Sequence, residues 1–396
     1  MADMGSGRFF KDQTYHHAAL RALNAVVTGG ADVSEVLQAI THIRAGDEQS
    51  WYSEWSRLAE RNIARADAVR NQRSRGEALL RAHTYYARAQ FFLAPKDPKR
   101  SAAYDLCRAL FYGGLDTLGV TYEKIDIPYG EYRLKAVYYP AESSRPLIVF
   151  HGGYDTIVEE LYFFLAAEAI SRGYPVLTFD GPGQGAPLRE QGLQFTPEWE
   201  RPTSAVLDTF IATHYRPEKI VLVGLSLGGY LASRAAAFEP RIDALVSYGV
   251  MFDLHDALAR AAGPIIATIR RVGRDPVADR LARGASALDP GARWGLRNAK
   301  WTLGSTGVTG MLDAAKPYTL VGVAERISQD VLILAGTDDQ FVPAYQVERY
   351  MRTLHSARSV TTKVYDRASG GHEHSQLGAT TLWQADFFDW MGDKLG

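Results

Sequence analysis

Cysteine is almost absent: Cys107 is the only one in 396 residues. A single thiol can build neither an intrachain disulfide framework nor a cysteine metal cluster, and it reads as a small buried apolar residue. Neither sign of charge predominates, since 44 Lys and Arg face 45 Asp and Glu for a formal net charge of −1. With no basic field to hold a polyanionic backbone, a nucleic acid partner is not expected. Long apolar runs are missing too. None approaches the ~20 residues of a membrane span, and Met1-Ala2-Asp3-Met4-Gly5-Ser6, followed by Phe9-Phe10-Lys11-Asp12, has no apolar core of signal-peptide length. A soluble cytoplasmic protein without a membrane partner is the expectation. Internal repeats and low-complexity tracts are likewise absent.

What is present is a chain 46% hydrophobic, enough for one large domain and an accessory one. Up to about Tyr122 apolar residues such as Trp55, Leu58, Ile63, Ala66 and Val69 recur at intervals near three and four, the period of amphipathic helices. A second stretch, Leu79, Leu80, Ala82, Tyr85, Tyr86, Ala89, Phe91 and Phe92, is rich in aromatics. Tyr85 and Tyr86 are candidates to face a ligand, with core packing as the alternative. From Glu131 to Tyr139 the period becomes two, a strand exposed on one face. Short apolar runs then alternate with helical stretches: 147–150, 176–179, 220–223, 244–248 and 331–335. Buried parallel strands joined by helices read this way. The expected division is a helical domain over 1–123 and an α/β domain over 124–396. Between about 251 and 327 the alternation breaks into short helical pieces punctuated by Gly263-Pro264, Pro276, Pro290-Gly291 and Pro317, the pattern of a lid insertion.

The chemistry centres on Gly224-Leu225-Ser226-Leu227-Gly228. It follows the apolar run 219–223 and precedes a good helix former, and strand, sharp turn and helix is the setting in which a serine hydroxyl is presented as a nucleophile. Glycines at 224 and 228 suit a turn that brings backbones close together. Such a serine needs a base and a group to orient it. Asp338 and Asp339, in the loop after the 331–335 strand, lie where parallel sheets assemble sites. His372 and His374, in the loop after the strand 360–365, are the two candidate bases. The tandem His-x-His has no companion cluster of ligand spacing, so neither a metal nor a cofactor is expected. Oxyanion donors are expected from the Leu227 N–H and from the loop His151-Gly152-Gly153-Tyr154-Asp155, with Gly153 first, Tyr154 next and His151 structural. Asp180-Gly181-Pro182-Gly183-Gln184-Gly185-Ala186 formally satisfies a dinucleotide-binding fingerprint. Pro187, Gly192 and Pro197 follow it, so the helix that would hold a pyrophosphate is expected to be missing.

These motifs resemble α/β-hydrolases, in which the pattern Gly-x-x-Asp-x-x-Val-Pro selects Asp339 over Asp338 and a glycine-rich loop commonly follows the 176–179 strand. Generic members often place the base directly after glycine, which favours His372. A narrower resemblance is to the branch of bacterial and fungal hydrolases with an N-terminal helical domain. That branch includes 2,6-dihydroxypseudooxynicotine hydrolase, fungal polyketide-shortening hydrolases and, more distantly, FrsA-like proteins. Leu80-Arg81-Ala82-His83-Thr84-Tyr85-Tyr86 with Phe91-Phe92-Leu93, Gly152-Gly153-Tyr154-Asp155 with Glu159-Glu160, Asp180 to Gly185, Gly224 to Gly229 and Arg293-Trp294-Gly295-Leu296 carry it over most of the chain. Its C-terminal signature, Gly-Ala-x-Glu-His-Cys-Gln, falls on Gly370 to Gln376 with His374 as base. Gly371 and Ser375 depart from its Ala and Cys.

The resemblance implies an α/β-hydrolase fold with a helical cap, a Ser226, His374 and Asp339 triad, no cofactor, and a homodimer through the helical domain. Asp253 is the nearest counterpart of an acidic site residue in the nicotine-pathway enzyme, the alternative being a lid-surface role. The chemistry implied is hydrolysis of a carbon-carbon bond beside a ketone in an aromatic or polyketide-like small molecule. Ester or thioester cleavage or transfer is the alternative, with peptidase activity and a non-catalytic receptor further behind.

Overall fold

The computed structural model describes residues 8–141 and 144–396; the Met1 to Ser6 stretch read above against a leader lies outside them. The chain divides into two compact units, Met1–Thr121 with Arg283–Asn298, and Tyr122–Ala282 with Ala299–Gly396. The segment expected as a lid is thus shared between them.

In the helical unit, helices Gln13–Asn24, Val33–His42, Glu48–Ala68, Gln72–Ala89 and Pro98–Leu118 each begin after an Asp or Asn. The side chains of Asp12, Asp32, Asp47, Asn71 and Asp97 accept backbone N–H groups of the first turn that have no partner within the helix. Along Glu48–Ala68 the buried stripe is Trp51, Trp55, Leu58, Asn62 and Ala66, with Ile63 and Val69 only half-buried. Asn62 holds a core position because its amide donates to Glu35 and to the Leu58 carbonyl and accepts from Arg81. Tyr15 stacks on Phe92 at 4.1 Å while Trp51 meets both edge-on. Tyr85 and Tyr86 are buried here, and the Tyr85 hydroxyl donates to Glu35 at 2.7 Å and accepts from the Asp32 N–H at 3.0 Å. Arg293 and Arg297 both bond the Glu48 carboxylate, and Trp294 stacks on Phe91.

The second unit is built on an eight-stranded sheet. Its strands are β1 (Glu123–Tyr129), β2 (Tyr132–Tyr139), β3 (Leu147–His151), β4 (Val176–Asp180), β5 (Ile220–Leu225), β6 (Ala244–Tyr248), β7 (Asp330–Gly336) and β8 (Ser359–Tyr365), in spatial order β1-β2-β4-β3-β5-β6-β7-β8. β1 pairs antiparallel with β2, and β2 with β4; every other pairing is parallel. β3 to β7 are buried along their whole length, as their near-continuous apolar sequences require. β1 is an addition to the sequence reading. Ile125 and Ile127 alternate inward beneath charged neighbours, and Pro128 is tolerated because the strand lies at the sheet edge.

The chain leaves β3 toward β4 and then crosses back to β5, so β3 and β5 are neighbours whose crossovers run in opposite directions. That reversal opens a crevice outside their carboxyl ends. A correction concerns the glycine-rich loop after β4. A helix, Gly185–Gln191, does follow it. Pro187 sits in its first turn, where a missing N–H costs no intrahelical bond, and Gly192, at φ 68°, ends it. The loop itself is filled by protein, with the Phe195 ring against Gly183 and the Trp199 ring against Gly181.

After β5 the chain turns directly into the helix Gly228–Ala236, so tightly that a Cβ on Gly224 would overlap the Gly228 carbonyl. We expect Gly224→Ala to lower the unfolding free energy by about 3 kcal/mol or more, since backbone rather than a movable side chain opposes the methyl group. Urea denaturation followed by circular dichroism measures this, and a change under 1 kcal/mol would contradict the geometry.

Candidate active site

Ser226 is the first residue beyond β5 and has φ 64°. A residue with a side chain adopts this left-handed conformation only when its surroundings impose it. Here its N–H donates to the Tyr248 carbonyl at 2.7 Å, and its own carbonyl accepts the Gly229 N–H at 2.8 Å. The turn lifts Oγ out of the sheet toward the loops that follow β7 and β8.

The loop after β7 separates the two candidate aspartates. Asp338 donates its N–H to the His372 carbonyl and pairs its carboxylate with Arg367 at 2.6 Å. Asp339 faces the other way. Its Oδ1 accepts the Phe341 and Val342 N–H groups at 2.9 Å each, and its Oδ2 lies 2.6 Å from His374 Nδ1. A carboxylate only accepts, so Nδ1 carries the ring proton and Nε2 is left to accept. Ser226 Oγ is 2.8 Å from that Nε2. The relay Asp339, His374, Ser226 is thus continuous, and the His374 and Asp339 side chains are only 3% and 5% exposed. His372 is not part of it; the nearest acid to its ring is Glu373, 3.9 Å away.

His374 is aimed by a strained turn. Ser375 and Gln376 follow with φ 55° and 44°, two left-handed residues in succession without a glycine. The Tyr248 hydroxyl, fully buried beside Trp383, donates to the Ser375 carbonyl at 2.5 Å and pins that turn. Gly249, at φ 86°, lies between Ser226 and His374, so close that a Cβ would come within 3.3 Å of the Ser226 Cα and 3.6 Å of the His374 Cε1.

On the other flank, a Cβ on Gly153 would sit 2.6 Å from the Leu225 carbonyl and 2.8 Å from the Leu227 nitrogen. Only a glycine lets the loop after β3 come beside Ser226. His151 supports this loop from below. Trp199 Nε1–H can only donate, so His151 Nε2 accepts at 3.2 Å and Nδ1–H donates to the Gly152 carbonyl at 2.9 Å. Burial holds this imidazole neutral, with its pKa pulled down to about 4.

Tyr154 stacks on Phe195, ring centroids 6.1 Å apart, and Phe341 presents itself edge-on to the His374 ring at 5.0 Å. Asp253 lies elsewhere in its own bonding: it caps the helix Leu254–Arg271 through Oδ1 and accepts Thr319 Oγ1 at 3.0 Å through Oδ2. Buried Gln346 bonds the Phe252 and Asp253 N–H groups and the Asp253 carbonyl, tying this segment to the helix Ala344–Thr353. Tyr85 and Tyr86 belong to the helical unit described above. Phe341, Tyr248 and Gln346 were not singled out from sequence, though Tyr248 ends an apolar strand run and Phe341 is two residues beyond Asp339. Among the described residues, no group of three or more His, Cys, Asp or Glu side chains is placed to hold a metal ion, and no helix is long and apolar enough to cross a membrane.

A parallel sheet with a serine on a strained strand-to-helix turn, faced by an Asp and His pair from later loops, defines an α/β-hydrolase, and the chain belongs to the Alpha/beta hydrolase family, matched over residues 147–377. It is 30% identical to hydrolase acrC of Aspergillus aculeatus over 98% of both chains, and 30% identical to 20-hydroxy-prefusarin hydrolase FUS2 of Gibberella moniliformis over 97% of both. The fold matches the crystal structure of 2,6-dihydroxy-pseudo-oxynicotine hydrolase with a TM-score of 0.71 at 22% identity, over 94% of this chain and 95% of that one. The chain is therefore an enzyme of the hydrolase class, from the branch to which its motifs point.

The neutral, buried His151 gives the protein an acid-sensitive stability. Its folded pKa of about 4 lies below the ordinary 6.5, so the unfolded chain takes up the proton first as pH falls. Stability is then lost from about pH 6.5 down to about pH 4. Buried Asp180 is shifted oppositely, well above the carboxylate range, by burial and then by the charge of Glu159, so the His151 contribution is read as a difference from a variant. Between pH 7 and pH 4 the parent is expected to lose about 3 kcal/mol more unfolding free energy than His151→Gln. Parallel pH profiles would show that His151 is not held neutral.

Proposed function

We propose that the protein is a serine hydrolase in which Ser226 is the nucleophile, His374 the general base and Asp339 the group that orients it. The observation that carries this reading is the continuous relay from Asp339 Oδ2 through His374 to Ser226 Oγ, at 2.6 and 2.8 Å. Ser226 Oγ attacks a substrate carbonyl as His374 Nε2 takes its proton, and Asp339 stabilises the imidazolium. The oxyanion that forms is met by the N–H of Leu227 and that of Gly153.

The substrate we propose is an aromatic or polyketide-like ketone, cleaved between the carbonyl carbon and a neighbouring carbon. As the tetrahedral adduct collapses, the carbon-carbon bond breaks and its electron pair leaves on a carbon whose charge an adjacent carbonyl or phenol-like ring delocalises. His374 returns the proton to that fragment. Water, deprotonated by His374, then attacks the acyl-serine; the acyl–Oγ bond breaks, His374 returns the proton to Ser226 Oγ, and the acid is released. The aromatic ring of Phe341 against His374, and that of Tyr154 beside Gly153, favour such a substrate over a charged one. The name of the relative 20-hydroxy-prefusarin hydrolase points to a small organic molecule in the same way.

A fluorophosphonate probe is expected to label the folded protein at Ser226 and to leave Ser226→Ala unlabelled; an unlabelled parent would sink the serine-hydrolase reading. His374→Ala should lower turnover about a thousandfold or more, while His372→Ala stays within about threefold, because its ring is outside the relay. The bond is tested by mass spectrometry of products from aryl β-diketones paired with matched esters, with Ser226→Ala as the blank. Diketone cleavage should dominate. Much faster ester turnover would transfer the assignment to an esterase.

A further inference from the structure

The segment that imitates a dinucleotide fingerprint has a use of its own. It delivers the side chain of Gln184, 2% exposed, beneath the loop after β3. Gln184 Oε1 accepts the Gly181 N–H at 3.0 Å, and Nε2 donates to the Gly152 carbonyl at 2.7 Å and to the Gly153 carbonyl at 3.0 Å. The orientation of the amide is fixed by its partners, since one only donates and the other two only accept.

In a trans peptide the N–H points opposite to the C=O of the same plane. The Gly152 carbonyl shares its plane with the Gly153 N–H, and the Gly153 carbonyl shares its plane with the Tyr154 N–H. One amide group holding both carbonyls therefore sets the direction of two successive N–H groups, those of Gly153 and Tyr154. Both belong to the loop that lies so near the Ser226 turn that a Cβ on Gly153 would come within 2.8 Å of the Leu227 nitrogen. A glycine-rich loop has little stiffness of its own, so its peptide planes need such a brace.

We propose that Gln184 is a positioning residue for the oxyanion site: it locks the peptide planes after β3 so that their N–H groups are already aimed when negative charge develops on the substrate. This rests on the nucleophile and oxyanion roles proposed above. The second glycine-rich loop is then a part of the catalytic apparatus, acting through backbone it does not itself contain. His151, which of these two carbonyls bonds that of Gly152, braces one of the two planes; Gln184 braces both.

The test uses the full chain and the second-order rate of Ser226 phosphonylation by a fluorophosphonate, whose P=O oxygen occupies the oxyanion position as the bond forms. Gln184→Met keeps the length of the side chain and removes its three hydrogen bonds. The plateau rate is expected to fall about 10- to 100-fold, in the range seen when an oxyanion donor is lost, while the pH midpoint of labelling, set by His374, stays within about 0.3 unit. A merely structural defect would shift the midpoint or abolish labelling with loss of the folded circular dichroism spectrum. If Gln184→Met does not fold, Gln184→Glu carries the test. Its carboxylate still accepts from Gly181 but opposes both carbonyls, so labelling should be slow at pH 8 and recover toward the parent rate as the pH is lowered and the carboxyl protonates. Parent-like plateau rates in the folded variant, or no pH-dependent recovery in Gln184→Glu, overturn the proposal. Failure of the underlying reading is recognised separately, by the parent itself remaining unlabelled.

Discussion

The left-handed backbone of Ser226 is the constraint on which the rest of the site depends. An L-residue at φ 64° is strained by roughly 1–3 kcal/mol, and it stays there because its N–H and carbonyl are both bonded and the chain on either side is already committed to a buried strand and a helix. Each glycine around it follows from that commitment. Gly224 lets strand and helix meet at the turn, Gly228 and Gly153 let the neighbouring loop reach it, and Gly249 leaves the space shared with His374. Strain that the fold has already absorbed does not have to be supplied by the substrate.

Electrostatics then selects among residues that chemistry alone cannot separate. Two adjacent aspartates and two histidines one residue apart have the same functional groups. Asp338 is paired with Arg367, which lies just beyond β8, whereas Asp339 has two backbone N–H groups on one oxygen and an imidazole on the other. The bonds on Oδ1 fix the carboxylate so that Oδ2 can meet His374 in one geometry. A mobile acid would not enforce the tautomer that leaves Nε2 free to accept from serine.

Much of this was legible in the chain itself. The change of period near residue 131 marked the second strand of the sheet, and the strand, glycine, serine, glycine, helix order located the turn that carries Ser226. Alternation failed at β1 because Pro128 interrupts it, although Ile125 and Ile127 carry the pattern. The helix Gly185–Gln191 was missed because Pro187 reads as a breaker when its position in the first turn is unknown. The partners that separate Asp338 from Asp339, Arg367 and His374, lie about thirty residues or more away, and no spacing rule connects them. Resemblance to relatives favoured Asp339 and His374, and the bonding pattern states why the neighbours differ. Side chains that work by holding backbone, such as Gln184, Tyr248 and Gln346, leave no mark in periodicity at all, since their partners are carbonyl and N–H groups common to every residue.

Tyr248 has a mechanical consequence. Its carbonyl takes the Ser226 N–H and its hydroxyl takes up the turn behind His374. Ser226 and the turn that aims His374 are thus both hung from one residue of β6, as two instruments are mounted on a single bench. When thermal motion slides or tilts that strand, the serine and the imidazole are carried together, and the separation between them is preserved even as their distance from the surrounding loops changes.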